Sequence, residues 1–205
     1  YMIELERDEE LWTVTINRPE KANSLTHGML AELADIAEAA KGQARVLVLT
    51  GRGKVFSAGA DLEEAKAGLA TSGIWERLSS AIAAFDGLSI AALNGTLAGG
   101  ANGMVLACDL RIAVSTAKFF YPVMKLGYLP QPSDPGRLRA LVGPSRAKII
   151  LMAGQKISAE DAFSFGLVDR LVEPEALLET ARELAADCMA QRPEIVQGIK
   201  ALCDG

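Results

Sequence analysis

The chain has 205 residues, half of them hydrophobic, with 26 acidic against 21 basic side chains and a formal charge of −5. That length suits one well-packed domain, and the acidic balance argues against broad nucleic-acid binding, which needs a basic face. No apolar run approaches the roughly 18 residues of a membrane span and no basic stretch leads into an apolar one near the start, so a cytoplasmic protein that neither enters a membrane nor is secreted is expected.

In chain order, Ile3 to Glu6 and Leu11 to Asn17 read as paired strands, the second alternating Trp12, Val14 and Ile16 with Thr13 and Thr15, and Arg18-Pro19 ends it. From Thr26 to about Ala40, Met29, Leu30, Leu33, Ile36 and Ala37 recur at helical spacing, with Gly42 as a stop. Arg45 to Thr50 carries the unbroken run Val46-Leu47-Val48-Leu49, the mark of a parallel strand covered on both faces. A small-residue turn follows, then a helix from Ser72 to about Phe85, an apolar strand from Ser89 to Leu93, a second small-residue turn and a helix to Ala107. Strand, turn and helix recurring in this order predict parallel strands joined by right-handed crossovers.

Leu110 to Val114 is a further strand, after which Pro122, Pro130, Pro132 and Pro135 make a loop-rich passage. Asp134 before Pro135 reads as a helix cap followed by the first helical residue. Helices are expected at about 135 to 142, 145 to 153 and 158 to 164, the last opened by the Ser158-Ala-Glu-Asp161 capping pattern, and Glu175 to Ala190 and Pro193 to Leu202 close the chain. Cys108, Cys188 and Cys203 are odd in number and lack CxxC spacing, so neither a disulfide framework nor a zinc site is expected, and no metal is assigned.

The chemistry concentrates in FSAGADL at 56 to 62 and NGTLAGGANG at 94 to 103. Each sets small residues where a helix begins, so a ligand oxygen can reach backbone N–H groups that the helix does not use. The plain alternative is that small residues only let strand and helix pack closely. His27 is the sole histidine, in the first turn of a helix, and no GxSxG surrounds Ser57, so a Ser-His-Asp hydrolase is not supported.

Together with RPEKANSL, ACDLRIA and ISAEDAFSFGLVDRLV, these motifs stand in the order and spacing of the crotonase family, the enoyl-CoA hydratase/isomerase family, and the chain resembles it over nearly its whole length. The resemblance implies an α/β fold, a spiral of ββα units, with a core over residues 1–190 and a short C-terminal helical segment over 191–205. It implies an acyl-CoA thioester as the substrate, with coenzyme A as part of that substrate and no separate cofactor. Trimers or hexamers are the family's assembly, an expectation weakened by the short C-terminal region.

By position the resemblance assigns the oxyanion donors to the backbone N–H groups of Ala58 and Gly100, with Gly99 allowing close approach. It draws the CoA path past Lys21, Ala22 and Asn23 and along Ser57, Gly59, Ala60, Asp61 and Leu62, with Asp61 read as a helix cap. Family hydratases carry two glutamates, and those positions fall here on Gly103 and Val123, neither of which holds a proton. Some relatives place an aspartate where this chain has Gln131. Tyr121, Gln131 and Asp134 are the substitute acid/base candidates, although a half-buried aromatic and a capping aspartate would account for two of them. The expectation is an acyl-CoA protein that stabilises a thioester enolate by an atypical route, as a hydrolase, decarboxylase or isomerase, and hydrates poorly. A standard hydratase or isomerase with a relocated acid/base, and a non-catalytic acyl-CoA binding or assembly protein, are the alternatives.

Overall fold

The computed structural model describes residues 1–205 as β1 (Ile3–Asp8), β2 (Leu11–Ile16), α1 (His27–Ala40), β3 (Val46–Gly51), β4 (Val55–Ser57), α2 (Leu62–Lys66), α3 (Ile74–Ala84), β5 (Leu88–Leu93), β6 (Thr96–Ala98), α4 (Asn102–Leu106), β7 (Leu110–Val114) and β8 (Lys118–Phe120). These are followed by α5 (Val123–Leu126), α6 (Asp134–Val142), α7 (Pro144–Leu151), β9 (Ile157–Ser158), α8 (Ala159–Phe165), β10 (Arg170–Val172), α9 (Leu177–Ala190) and α10 (Pro193–Asp204).

Three consecutive units, β3-β4, β5-β6 and β7-β8, each give one strand to a six-stranded sheet, order β1-β2-β3-β5-β7-β10, and one to a four-stranded sheet, order β4-β6-β8-β9. The repeat is the expected spiral of ββα turns. In the large sheet β1 and β2 are antiparallel and every other pair is parallel. Val46 to Leu49 in β3 and Ile90 to Leu93 in β5 are almost wholly buried, which is what their unbroken apolar runs require of central parallel strands. Helix α9 lies against β3, β5 and β7.

Helix α1 starts where the Thr26 hydroxyl accepts the Met29 N–H at 3.2 Å, a cap that contributes about 1 kcal/mol. It buries Met29, Leu30, Leu33, Ala34, Ala37 and Ala40, a helical-period stripe, and packs on α3. The strands β4, β6 and β8 fall in stretches whose sequence reads as turn or loop. At three residues each they are too short to carry a period of two, and tertiary pairing alone makes them strands.

The corner between β5 and β6 is set by Gly95, where a Cβ would collide with the Lys54 carbonyl. Gly95→Ala is therefore expected to destabilise by at least the roughly 1–3 kcal/mol of an overpacked core. Gly198→Ala in α10, whose Cβ meets nothing within 4 Å, should be neutral or stabilising by about 0.4–1 kcal/mol. Urea midpoints of the two variants measure the difference, and equal midpoints would contradict this corner.

Candidate active site

In the small sheet β4 pairs parallel with β6, and β6 with β8, so the chain leaves three neighbouring strands at the same edge. The turns after β4 and β6 and the segment after β8 meet there, outside the carboxyl ends of parallel strands where ligands commonly bind. The FSAGADL and LAGGANG turns touch: a Cβ on Gly59 would stand 3.1 Å from the Ala98 carbonyl oxygen and 3.6 Å from the Gly99 Cα. Gly59 has φ +94° and Gly99 φ +63°, so close approach and left-handed backbone both call for glycine.

A cavity of about 390 Å³ opens between these turns, and its lining includes Ala58, Gly59, Ala60, Gly99, Gly100, Tyr121, Val123 and Gln131. Trp75 forms one wall. Its ring carbons lie 3.2 Å from where a Gly100 Cβ would stand, and its indole N–H donates to the Leu69 carbonyl at 2.8 Å. Sequence reading missed Trp75, whose only signal is a large aromatic in the helix preceding β5. Leu62, Leu126 and Leu129 line the cavity and are also exposed, and Lys66 is the one charged side chain in the lining.

Hydrogen bonding decides which N–H groups are available. The Ala58 N–H donates to the Ala22 carbonyl at 3.0 Å, so the donor expected at Ala58 is already committed to holding the turn. The Gly59 N–H donates to the Ser57 hydroxyl at 3.1 Å, which itself donates to the Asn23 carbonyl at 2.8 Å. On either side of Ala60, Leu25 N–H binds the Gly59 carbonyl at 2.8 Å and Asp61 N–H binds the Leu25 carbonyl at 2.9 Å. Ala60 itself lies at the middle of this bridge, and its N–H has no acceptor in the protein. The Gly100 N–H, inside the single 3-10 turn Gly99–Ala101, is likewise without one. The free pair is Ala60 with Gly100.

The remaining expected positions divide. Asp61 caps α2, accepting Glu64 N–H at 3.1 Å and the Arg18 guanidinium at 2.9 Å; the Glu64 N–H first, and Arg18 second, hold its carboxyl below the usual carboxylate range. Ser57 is fully buried and Ala22 serves as an acceptor, so both shape the turn. Lys21 is exposed in the 3-10 turn Pro19–Lys21, and neither it, Ala22, Ser57 nor Asp61 lines the cavity.

Asp134 departs most from expectation. It is the first residue of α6 and its side chain does not cap the helix. Instead it is 1% exposed and accepts the Tyr121 hydroxyl on Oδ2 at 2.8 Å, while Oδ1 has no partner. The cause lies across the interface. A Gly103 Cβ would stand 2.9 Å from Oδ1, so the carboxylate occupies the space left by the missing side chain at 103. Tyr121, expected to be half buried, is only 4% exposed; its hydroxyl also accepts the Gln131 N–H at 3.3 Å. Burial first, and then the Glu76 charge, push the Asp134 carboxyl up to about 6, against the lowering influence of Tyr121 and Arg137. Burial, followed by the Asp134 charge, raises the Tyr121 phenol.

The wall carrying this pair is tied down. Glu76 accepts the Ser133 N–H at 2.7 Å and hydroxyl at 2.8 Å, and the Gln131 amide donates to the Ala70 carbonyl at 3.3 Å. Behind the Gly100 turn, buried Arg111 binds the carbonyls of Cys108 at 2.7 Å and Val105 at 3.3 Å at the end of α4, and that of Leu167 at 2.8 Å. A cation there complements the helix C-terminus.

A second cavity of about 400 Å³ lies under α10, lined by Cys188, Ile195, Ile199 and Lys200 among others. The Lys200 ammonium already binds the carbonyls of Phe85 and Gly87 and the Asp109 carboxylate at 2.6 to 2.8 Å, so the one cation in this lining is committed to the fold. No three His, Cys, Asp or Glu side chains converge as metal ligands would, and no helix is long and apolar enough to cross a membrane.

The family model for enoyl-CoA hydratase/isomerase matches residues 6–204. Among curated relatives, the crotonyl-CoA hydratase of Syntrophomonas wolfei subsp. wolfei is 36% identical over 205 residues, covering 96% of this chain and 79% of that protein. The 1,2-epoxyphenylacetyl-CoA isomerase of Escherichia coli (strain K12) is 31% identical over 195 residues, 90% of this chain and 74% of that protein. The crystal structure of enoyl-CoA hydratase from Bacillus anthracis superposes with a TM-score of 0.91 at 32% identity, covering 100% of this chain and 83% of that one.

Proposed function

The chain belongs to the enoyl-CoA hydratase/isomerase family, and from that premise we propose that it binds an acyl-CoA thioester and stabilises the thioester enolate between the N–H groups of Ala60 and Gly100. The observation that carries this reading is that these two N–H groups, on touching turns at one cavity, have no acceptor in the protein. Negative charge that develops on the thioester oxygen would find donors already in place, and one such donor is typically worth about 10²–10³ in rate.

Thirteen of the twenty residues lining the cavity are hydrophobic, so the acyl part it suits is apolar. Gly103 and Val123 put no carboxyl at the positions of the family's glutamates, and we assign the chain to proton transfer or bond cleavage next to the thioester in preference to hydration. The names of its hydratase relatives favour the second reading, a hydratase with a relocated acid/base.

Calorimetry with acetyl-, butyryl- and octanoyl-CoA tests the reading. Binding is expected for all three and tightest for the longest, at about 0.8 kcal/mol for each fully buried CH₂. Absence of heat and of thermal stabilisation at about millimolar ligand, where even a weak site of that Kd would be half filled, would overturn it.

A further inference from the structure

We propose that Tyr121 and Asp134 form the proton-moving pair of this site, with the tyrosine hydroxyl meeting the acyl group and Asp134 acting through it. This rests on the acyl-CoA reading above and adds to it the group that takes and returns the proton.

Tyr121 lines the cavity. Its hydroxyl proton points to Asp134 Oδ2 at 2.8 Å, and the Gln131 N–H at 3.3 Å leaves the phenol oxygen one further acceptor direction. Asp134 has no other donor: Oδ1 is buried and unpartnered, filling the place where a side chain on Gly103 would stand. Leaving a buried carboxylate oxygen without a donor costs stability, and a helix cap would not demand that cost. A proton-carrying role accounts for both the burial and the empty valence.

In the forward step the Cα–H bond of the thioester breaks toward the Tyr121 oxygen, while the phenol's own proton passes to Asp134 Oδ2. The C–H electron pair becomes the enolate, with its charge on the oxygen held by Ala60 and Gly100. Reversal returns a proton to the same carbon, or to a conjugated one when the acyl group is unsaturated, which is a 1,3-proton shift. No other reactant is needed.

The charged groups that Asp134 feels are Glu76 from α3 and Arg137 on its own helix. Helix α4, packed across from it, carries no charged residue, and Arg146 and Lys148 of α7 are exposed. With the Asp134 carboxyl pushed up to about 6, its proton-accepting form fills as pH rises through that value. An ordinary surface carboxylate would be fully ionised well below it.

Deuterium wash-in at Cα of butyryl-CoA in D₂O, followed by mass spectrometry, tests the pair on the intact chain. Expected are a rate that climbs through about pH 6 and then flattens, and losses of about 10²–10⁴ in Tyr121→Phe and in Asp134→Asn, with the pH inflection gone in the latter. Both variants should bind butyryl-CoA as the parent does and melt cooperatively. Parent-like exchange in Tyr121→Phe, or an inflection that survives Asp134→Asn, would overturn the proposal. The parent profile needs no variant, and a flat one between about pH 5 and 8 would also overturn it. Acyl-CoA binding without exchange would overturn the pair alone; no binding at all would overturn the preceding reading with it.

Discussion

Gly100→Pro is expected to lose about 10²–10³ in the rate of α-proton exchange, or of any other reaction through the thioester enolate, because the ring removes one of the two free donors. Sterics must be separated from this loss, since any Cβ at 100 meets the Trp75 ring at 3.2 Å. Gly100→Ala imposes the same contact and keeps the N–H, so it should stay within about tenfold of the parent, the modest scale on which a packing adjustment of about 1 kcal/mol acts. Ala58→Ser should be milder still, because the Ala58 N–H serves the Ala22 carbonyl and not the cavity. The measurement is deuterium wash-in by each variant, with thermal unfolding to establish that it is folded. A folded Gly100→Pro chain exchanging at the parental rate would remove Gly100 from the oxyanion role.

The shift of the expected donor from Ala58 to Ala60 marks where sequence reading reaches its limit. Small residues in FSAGADL announce that backbone will be bared to a ligand, but which N–H remains free depends on partners far along the chain. Ala22 takes the one at 58, Ser57 takes that at 59, and the bridge to Leu25 leaves that at 60. The Ser57 contact lies within the motif, but the other two pairings have no local signature. The long elements were legible because α1 and β3 carry their periods within themselves, whereas β4, β6 and β8 exist only by pairing with one another. Asp134 taught the same lesson in reverse. Asp-Pro is a sound local cap signal, yet the empty side-chain position of Gly103, 31 residues earlier in sequence, offers the carboxylate a buried place beside Tyr121. Burial there pushes its carboxyl up to about 6.

That neighbour also changes what should restore hydration. The natural chain is expected to hydrate crotonyl-CoA about 10²–10⁴-fold more slowly than its S. wolfei hydratase relative, since Gly103 and Val123 neither activate water nor deliver a proton. Placing glutamates at both positions would supply the groups, but not in this background. A side chain at 103 would start 2.9 Å from Asp134 Oδ1, and a glutamate there would set two buried carboxylates against each other. One of them would have to stay protonated, and the fold would bear the desolvation and repulsion. Gly103→Glu with Val123→Glu is therefore expected to melt well below the parent and to hydrate little. Adding Asp134→Gly vacates the space, and the triple variant should recover stability and gain at least about tenfold in hydration, a small part of the full acid/base contribution. Loss of the enoyl absorbance follows the reaction directly. Rapid hydration by the natural chain would instead mean that the Tyr121–Asp134 pair activates water, and in that case Asp134→Gly alone would abolish it. If the double and triple variants hydrated equally well and melted together, Asp134 would not be filling the place of the side chain missing at 103.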